Sequence, residues 1–312
     1  MTKAIRFHEY GGPEIMRLEE IPRPVPKAGE ILVRVHAMGV NPVDWKVREG
    51  LARSRLNLTL PAIPGGDLSG VVEEVGSGVS GAKAGDAVFA MIGLTGAYAE
   101  RVAFKAEQAA PKPRTLDHVH AASVPLAALT AWQALFEQAG LKNGQRVLVH
   151  AAAGGVGGFA VQIARQAGAT VVGTASAANA DYVRGLGAAE VIDYRKEGDF
   201  AAQRGRFDVV FDLIGGPTSL KSLELLRKGG VHVGGLPSPA LAQQADVTGI
   251  RVSTLQVRPD GRQLSEIAAL IDAGKIRTTI AAVFPLREAG RAHEQSKTGH
   301  TRGKIVLDAM SS

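Results

Sequence analysis

The chain of 312 residues contains no cysteine at all. Disulfides are excluded, and so is any metal site built on thiolate ligands. No apolar run approaches the roughly 18 residues that a membrane-crossing helix requires, so no membrane partner is expected. Internal repeats and low-complexity tracts are absent. The opening residues, MTKAIRFHEYGG, read as a strand and not as an export signal, which leads to the expectation of a cytoplasmic address. Acidic residues are the minority, 30 against 36 Lys and Arg, for a net charge of +6 and a pI near 9.6. The basic residues are nevertheless scattered, aromatics are only 5%, and none of the DNA or RNA recognition motifs occurs, so no nucleic-acid partner is expected. Attraction for a polyanionic cofactor is enough to account for the surplus.

Glycine is what the chain has in quantity, with 38 residues, against a background of 45% hydrophobic and 21% charged residues that is ordinary for a soluble domain. The length is large for one core and predicts two lobes. Residues 145–176, QRVLVHAAAGGVGGFAVQIARQAGATVVGTAS, spell strand, glycine turn, helix and second strand. Val147, Leu148 and Val149 form a short apolar run that feeds Ala152-Ala153-Gly154-Gly155-Val156-Gly157. Ala160, Ile163, Ala164 and Ala167 then recur at helical spacing until Gly168 stops the helix. In such a βαβ unit the glycines remove Cβ atoms so that backbone amides can approach a pyrophosphate at the positive end of the helix. Gly154, Gly155, Val156 and Gly157 are therefore predicted cofactor contacts, although Ala152 stands at the usual first glycine. A strand–helix unit that merely packs leaves three glycines in four residues unexplained.

The second strand ends in Thr174-Ala175-Ser176 with Asn179 beyond, and no Asp or Glu stands where an NAD-selective fold holds the adenosine ribose. Thr174, Ser176 and Asn179 leave room for a 2′-phosphate and offer it donors. Tyr194 and Arg195 follow a third strand over 190–193. NADPH is thus the expected cofactor in preference to NADH. Ala178 occupies a place where Lys or Arg would give a stronger contact, a role left to Arg195 or Arg184.

Up to residue 118 the pattern is of short β-type runs (31–35, 71–75, 87–91, 99–104) broken by Pro and Gly, which predicts a mostly antiparallel lobe. From 119 to 256, strands and helices alternate, which predicts a parallel doubly wound sheet with later strands at 209–213, 231–234 and 250–255. Cofactors bind at the carboxyl ends of such strands, so Leu213, Ile214, Gly234 and Leu236 join the predicted cofactor shell. Leu264, Ile267, Ala268 and Ile271 mark a helix after Asp260, stopped by Gly274. His118 and His120 read as solvated side chains ahead of a helix, and His36 and His150 as packed or partnered strand residues.

Several separated segments carry a resemblance that covers nearly the whole chain: His8-Glu9-Tyr10-Gly11-Gly12-Pro13, Asn41-Pro42-Val43-Asp44-Trp45-Lys46, Pro64-Gly65-Gly66-Asp67, Gly85-Asp86-Ala87-Val88-Phe89, Gly96-Ala97-Tyr98-Ala99-Glu100, Leu129-Thr130-Ala131-Trp132, the glycine turn, and Gly303-Lys304-Ile305-Val306-Leu307. In this order they resemble zinc-free members of the medium-chain dehydrogenase/reductase superfamily, in the quinone oxidoreductase and enone reductase branch. The resemblance implies an α/β chain with a GroES-like catalytic domain (1–118 and 257–312) around a Rossmann nucleotide-binding domain (119–256), and an active site in a cleft between the lobes. It also implies a homodimer joined at strand edges, for which 248–255 is the natural edge. Asn41 stands where a zinc relative places a catalytic Cys, and Gly66-Asp67 where it places His-Glu, so no metal is expected.

The resemblance further implies that Lys46 lies by the nicotinamide ribose and substrate. An ammonium there can donate to the charge developing on an acceptor oxygen. Asn41 is the second candidate, as an amide donor to a substrate carbonyl. Asp44 reads as a holder of local backbone. Thr130 resembles the threonine packed on the nicotinamide, and Lys304 a basic residue that reaches the pyrophosphate, with Arg302 close by and equally suited. The expected activity is NADPH-dependent reduction of a small-molecule quinone or α,β-unsaturated carbonyl compound. The alternative is a nucleotide-binding sensor or structural protein with little turnover.

Overall fold

The computed structural model describes residues 1–54, 56–196, 200, 202–235 and 238–311. Contacts divide the chain into two units, Met1–Leu129 with Arg258–Ser312, and Thr130–Val257. The division falls inside the helix Pro125–Trp132, whereas the hydrophobic period changes near residue 118. Residues 118–129 belong with the first unit because the short helix His118–Ala122 packs on its strands.

The first unit is built on β1 (Thr2–Arg6), β2 (Arg17–Ile21), β3 (Glu30–Val40), β4 (Asp67–Val75), β5 (Ala87–Met91), β6 (Arg101–Lys105) and β7 (Ala109–Pro111). Pairing from β3 to β7 is antiparallel. Alternation along β3 turns Ile31, Val33 and Val35 into a core shared with Leu68, Val102 and Phe104. Burial of each such side chain contributes about 1.5–3 kcal/mol. The helix α1 (Pro42–Arg48) follows β3 directly, begun by a proline whose missing N–H a first turn does not need.

The second unit carries β8 (Arg146–Val149), β9 (Thr170–Ala175), β10 (Glu190–Asp193), β11 (Phe207–Phe211), β12 (Leu226–Gly234) and β13 (Arg251–Thr254), ordered β10-β9-β8-β11-β12-β13. Every pairing in this sheet is parallel. The order, with the chain reversing direction from β8, is that of a doubly wound dinucleotide-binding sheet. Its middle strands are mostly apolar, as strands covered on both faces are; all five residues of β11 are buried, Asp208 among them. Parallel pairing brings the ends of β8, β9, β10, β11 and β12 to one edge of the sheet. Beyond β13 the chain returns to the first unit through helix Gly261–Asp272, capped by the Asp260 carboxylate on the Gln263 amide, and then β14 (Ile280–Pro285), helix Ala289–Lys297 and β15 (Lys304–Asp308). β15 pairs antiparallel with β3.

Residues 133–138, directly after helix Pro125–Trp132, form a π-helix, which periodicity does not reveal; Trp132 and Phe136 meet edge to face across it at 4.8 Å. His118 also departs from the solvated reading. It opens the helix His118–Ala122, meets His36 with ring centroids 4.3 Å apart and the rings tilted by 38°, and holds the Ser69 hydroxyl at 2.8 Å. Among the described residues no helix is long and apolar enough to cross a membrane.

Candidate functional site

In the second unit, β8 leads into the glycine turn through Ala151, which adopts φ +51° and is the one non-glycine residue with positive φ among those described. Three hydrogen bonds shape the turn. Ala151 N–H donates to the Thr174 hydroxyl (3.2 Å), Ala152 N–H to the Thr174 carbonyl (3.0 Å), and Gly154 N–H to the Ala151 carbonyl (2.9 Å). A Cβ on Gly157 would lie 2.2 Å from that same Ala151 carbonyl oxygen, so only glycine fits. The helix α2 (Gly155–Gln166) starts at Gly154 with no side chain capping it. Helix geometry leaves its first-turn amides without intrahelical acceptors, at the positive end of the dipole. These residues fit a pyrophosphate: Cβ atoms are missing where the backbone must be approached, and amides stand where charge would lie.

Ser176, Tyr194, Leu213, Ile214 and Gly234 lie at or just past the strand ends of the same sheet edge. Ser176 directly follows β9, and the Asn179 amide donates to its hydroxyl at 3.3 Å. Tyr194 follows β10, half exposed, with the Arg195 guanidinium 5.7 Å from its ring centroid. Leu213 and exposed Ile214 follow β11, in a loop tied by the Ile214 and Gly215 amides donating to Asp212 (2.8 and 3.0 Å). Burial raises the Asp212 carboxyl, but the His232 imidazole, the Ser219 hydroxyl and those two amides outweigh it and hold the carboxyl below the usual range. Gly234 ends β12, where a Cβ would meet His232 at 2.9 Å. Thr130 is buried in its helix. Leu236 lies outside the described residues. Thr174 has a different place from the one expected: it is 2% exposed and its hydroxyl serves the turn.

In the first unit the structure brings Asn41, Asp67 and Lys304 together below the surface. Lys304 Nζ donates to the Val40 carbonyl (3.0 Å) and to Asn41 Oδ1, and lies 3.9 Å from Asp67 Oδ2. Asn41 Nδ2 donates to Asp67 Oδ2 (2.9 Å), and Leu126 N–H to Asp67 Oδ1 (2.8 Å). Both ends of the Asn41 amide are thus occupied within the protein, and the Lys304 ammonium faces a carboxylate in place of the pyrophosphate that the resemblance implies. Burial raises Asp67 to about 6 against the pull of Lys304 and Asn41, and burial lowers Lys304 against the pull of Asp67 and Asp44.

A second buried chain holds α1. Asp44 accepts from Asn41 N–H and from the Tyr98 hydroxyl, each at 2.8 Å. Burial pushes Asp44 up to about 7, opposed by those two donors. His293 Nε2 lies 3.3 Å from the Tyr98 oxygen and its Nδ1 3.3 Å from Arg48 Nη1. A guanidinium only donates, so Nδ1 accepts and Nε2–H donates to Tyr98, which donates on to Asp44. Burial, and then Arg48, lower His293 to about 3, which keeps the ring neutral as this chain requires. Arg48 itself is 1% exposed; its Nε donates to the Gly11 carbonyl at 3.0 Å. Lys46, by contrast, projects from α1 exposed, with Nζ 5.5 Å from the Trp45 ring centroid; Lys297 Nζ lies 5.3 Å from the same ring. Tyr98, Arg48 and His293 escaped the sequence reading. Tyr98 stands in a quoted motif, but His293 sits in a polar helix where no periodicity singles it out.

Residues 27–114 match the family described as alcohol dehydrogenase GroES-like domain, and residues 186–307 the family described as zinc-binding dehydrogenase. A chloroplast envelope quinone oxidoreductase homolog of Arabidopsis thaliana is 35% identical over 325 residues, covering 99% of this chain and 98% of that one. The quinone oxidoreductase of Coxiella burnetii superimposes with a TM-score of 0.91 at 36% identity, over 99% of each chain. That of Escherichia coli, solved as a complex with NADPH, gives 0.86 at 32% identity, over 98% of this chain and 99% of the other. Similarity of this extent, on an antiparallel unit joined to a doubly wound one, places the chain in the zinc-free quinone oxidoreductase branch of the medium-chain dehydrogenase/reductase superfamily.

Proposed function

We propose that this protein is an NADPH-dependent, zinc-independent oxidoreductase acting on quinones or α,β-unsaturated carbonyl compounds. The observation that carries the reading is the end of β9. Where an NAD-selective sheet has an acid, this strand is followed by Ser176 with Asn179 bonded to it, a neutral and donor-bearing shelf at the same sheet edge as the uncapped helix. The relatives named as quinone oxidoreductases, one of them solved with NADPH, support it.

In this reading the amides of Gly155, Val156 and Gly157 hold the pyrophosphate, and Ser176 and Asn179 take the 2′-phosphate. Tyr194, Leu213, Ile214 and Gly234 line the remaining strand ends, and Thr130 packs on the nicotinamide. When bound, the reduced nicotinamide supplies a hydride to the acceptor carbon. The protein's own task is to meet the negative charge that develops on the acceptor oxygen. Lys46 is the residue for it, with three donors on an exposed ammonium. Its helix is held at the start by the Asn41 amide on Asp44, and at the end by Arg48 on Gly11 and His293. Positioning of that kind is what sustains a near-attack geometry. The edge strand β13 is the pairing surface proposed for a homodimer.

The test is a fluorescence titration with NADPH beside a turnover assay that follows loss of the reduced nicotinamide absorbance with 1,4-benzoquinone, 9,10-phenanthrenequinone and a short enone. Binding with turnover of at least one acceptor is expected. Binding with no turnover on any of them overturns the reading in favour of a nucleotide sensor.

A further inference from the structure

Behind the glycine turn lies a column of polar side chains that no cofactor contact requires. Thr174 Oγ1 accepts the Ala151 amide at 3.2 Å and lies 3.2 Å from His150 Nδ1. His150 Nε2 lies 2.9 Å from the Ser222 hydroxyl, which donates to the Thr218 carbonyl at 2.7 Å. Only one arrangement of protons satisfies every member. Since Ser222 uses its hydrogen on Thr218, it accepts from His150 Nε2–H; His150 Nδ1 then accepts from the Thr174 hydroxyl, whose oxygen is left to receive Ala151 N–H. The order demands a neutral imidazole, and burial lowers His150 to about 4. All three side chains are at most 2% exposed.

The column ends on Ala151, the one described non-glycine residue with positive φ. Ala151 holds φ +51°, in the left-handed region that a Cβ disfavours. Its carbonyl is the oxygen against which Gly157 packs and to which the Gly154 amide donates. Release of Ala151 from this conformation moves the carbonyl and, with it, the amides at the head of the helix.

We propose that Thr174, backed by His150 and Ser222, is a positioning residue for the pyridine nucleotide: it pins Ala151 in the left-handed conformation that shapes the phosphate turn, and does not itself touch the 2′-phosphate. This rests on the nucleotide site proposed above. It places a determinant of cofactor affinity beneath the turn, reaching through Ser222 to helix Pro217–Leu223, which follows the Asp212 loop.

The experiment measures dissociation constants of NADPH and NADH by fluorescence for the full chain and its variants, with thermal unfolding alongside. Thr174→Val, which keeps the shape and removes the hydroxyl, is expected to weaken both nucleotides about tenfold and by the same factor. Thr174→Ser, which keeps the hydroxyl, is expected to bind as the wild type does. Ala151→Gly placed in the Thr174→Val background is expected to recover most of the affinity, because glycine adopts positive φ without the pin. Loss confined to NADPH overturns the proposal in favour of direct phosphate contact. Wild-type affinity in Thr174→Val, or no recovery from Ala151→Gly, overturns it too. A wild-type protein that binds neither nucleotide overturns the underlying site instead, and the proposal with it. If Thr174→Val does not fold, Ser222→Ala serves in its place: about threefold weaker binding of both nucleotides is expected, and unchanged affinity overturns the proposal.

Discussion

The Tyr98 hydroxyl donates to the Asp44 carboxylate across 2.8 Å, and both side chains are fully buried. One further donor, the Asn41 amide, serves the same oxygen, while Asp44 Oδ1 has no partner among the described residues. Tyr98 is also the acceptor for His293. Its hydroxyl therefore joins the start of α1 to the helix Ala289–Lys297, and the oxygen that makes both contacts is replaced by nothing in a phenylalanine.

Tyr98→Phe should leave two buried polar groups short of a partner, at about 1–3 kcal/mol each. A loss of about 2–4 kcal/mol in urea unfolding is expected, with the ring itself retained against Gly65, where a Cβ would lie 2.1 Å from it. A variant within about 0.5 kcal/mol of wild type, the range of ordinary surface substitutions, would show that the hydroxyl contributes nothing.

His293 predicts a pH dependence. Its folded value near 3 lies below the reference of 6.5, so the unfolded chain binds the proton first. The stability this group contributes is present above about pH 6.5 and is lost as pH falls from there toward 3. At about pH 5 the loss is about 2 kcal/mol. Asp44, raised to about 7, acts in the opposite sense: its contribution is present below about pH 4 and is lost as pH rises through 7. His293→Gln removes the first effect and leaves the second. Urea midpoints at about pH 7.5 and pH 5 should show the variant losing about 2 kcal/mol less on acidification; equal losses would sink the assignment of a buried neutral ring.

Lys304 and Asp67 make a double-mutant cycle. Lys304→Met leaves a buried carboxylate facing no cation, and Asp67→Asn leaves a buried ammonium facing no anion, so each should destabilise by about 3–5 kcal/mol. The double variant removes both charges and should fall short of the sum by about 2 kcal/mol or more. Additivity within about 0.5 kcal/mol would mean that the two charges do not sense each other.

What the sequence made legible, and what it did not, follows from the range of the interactions. Period-two runs located β3, β4, β5 and β6, and the glycine turn between Val149 and the helix identified the nucleotide sheet, because both signals are local. Lys304 shows the limit. Gly303 to Leu307 entered only as a motif of the resemblance, and the partners of the Lys304 side chain, Val40 and Asn41, stand more than 260 positions away. Thr174 is subtler: its small polar character was read correctly, but its place on the strand aims the hydroxyl under the turn, toward His150, and not out toward a phosphate. The His293–Tyr98 contact spans 195 positions and leaves no trace in either local pattern.

Two adjacent glycines in the helix after the turn give opposite expectations for one substitution. A Cβ on Gly157 would stand 2.2 Å from the Ala151 carbonyl oxygen and 2.8 Å from the Ala152 Cα, which are backbone atoms that cannot rotate aside. A Cβ on Gly158 meets nothing nearer than the tip of Leu186 at 3.4 Å and the Tyr182 hydroxyl at 3.6 Å. Gly157→Ala must therefore open the turn, and neither NADPH nor NADH should bind at concentrations that saturate the wild type. Gly158→Ala should bind both normally and gain stability, up to about 1 kcal/mol, since alanine loses less backbone freedom in a helix. Fluorescence titration and urea unfolding of the pair check this together. Nucleotide binding by Gly157→Ala with wild-type affinity would mean that the approach of Ala151 to the helix is not what shapes the phosphate turn.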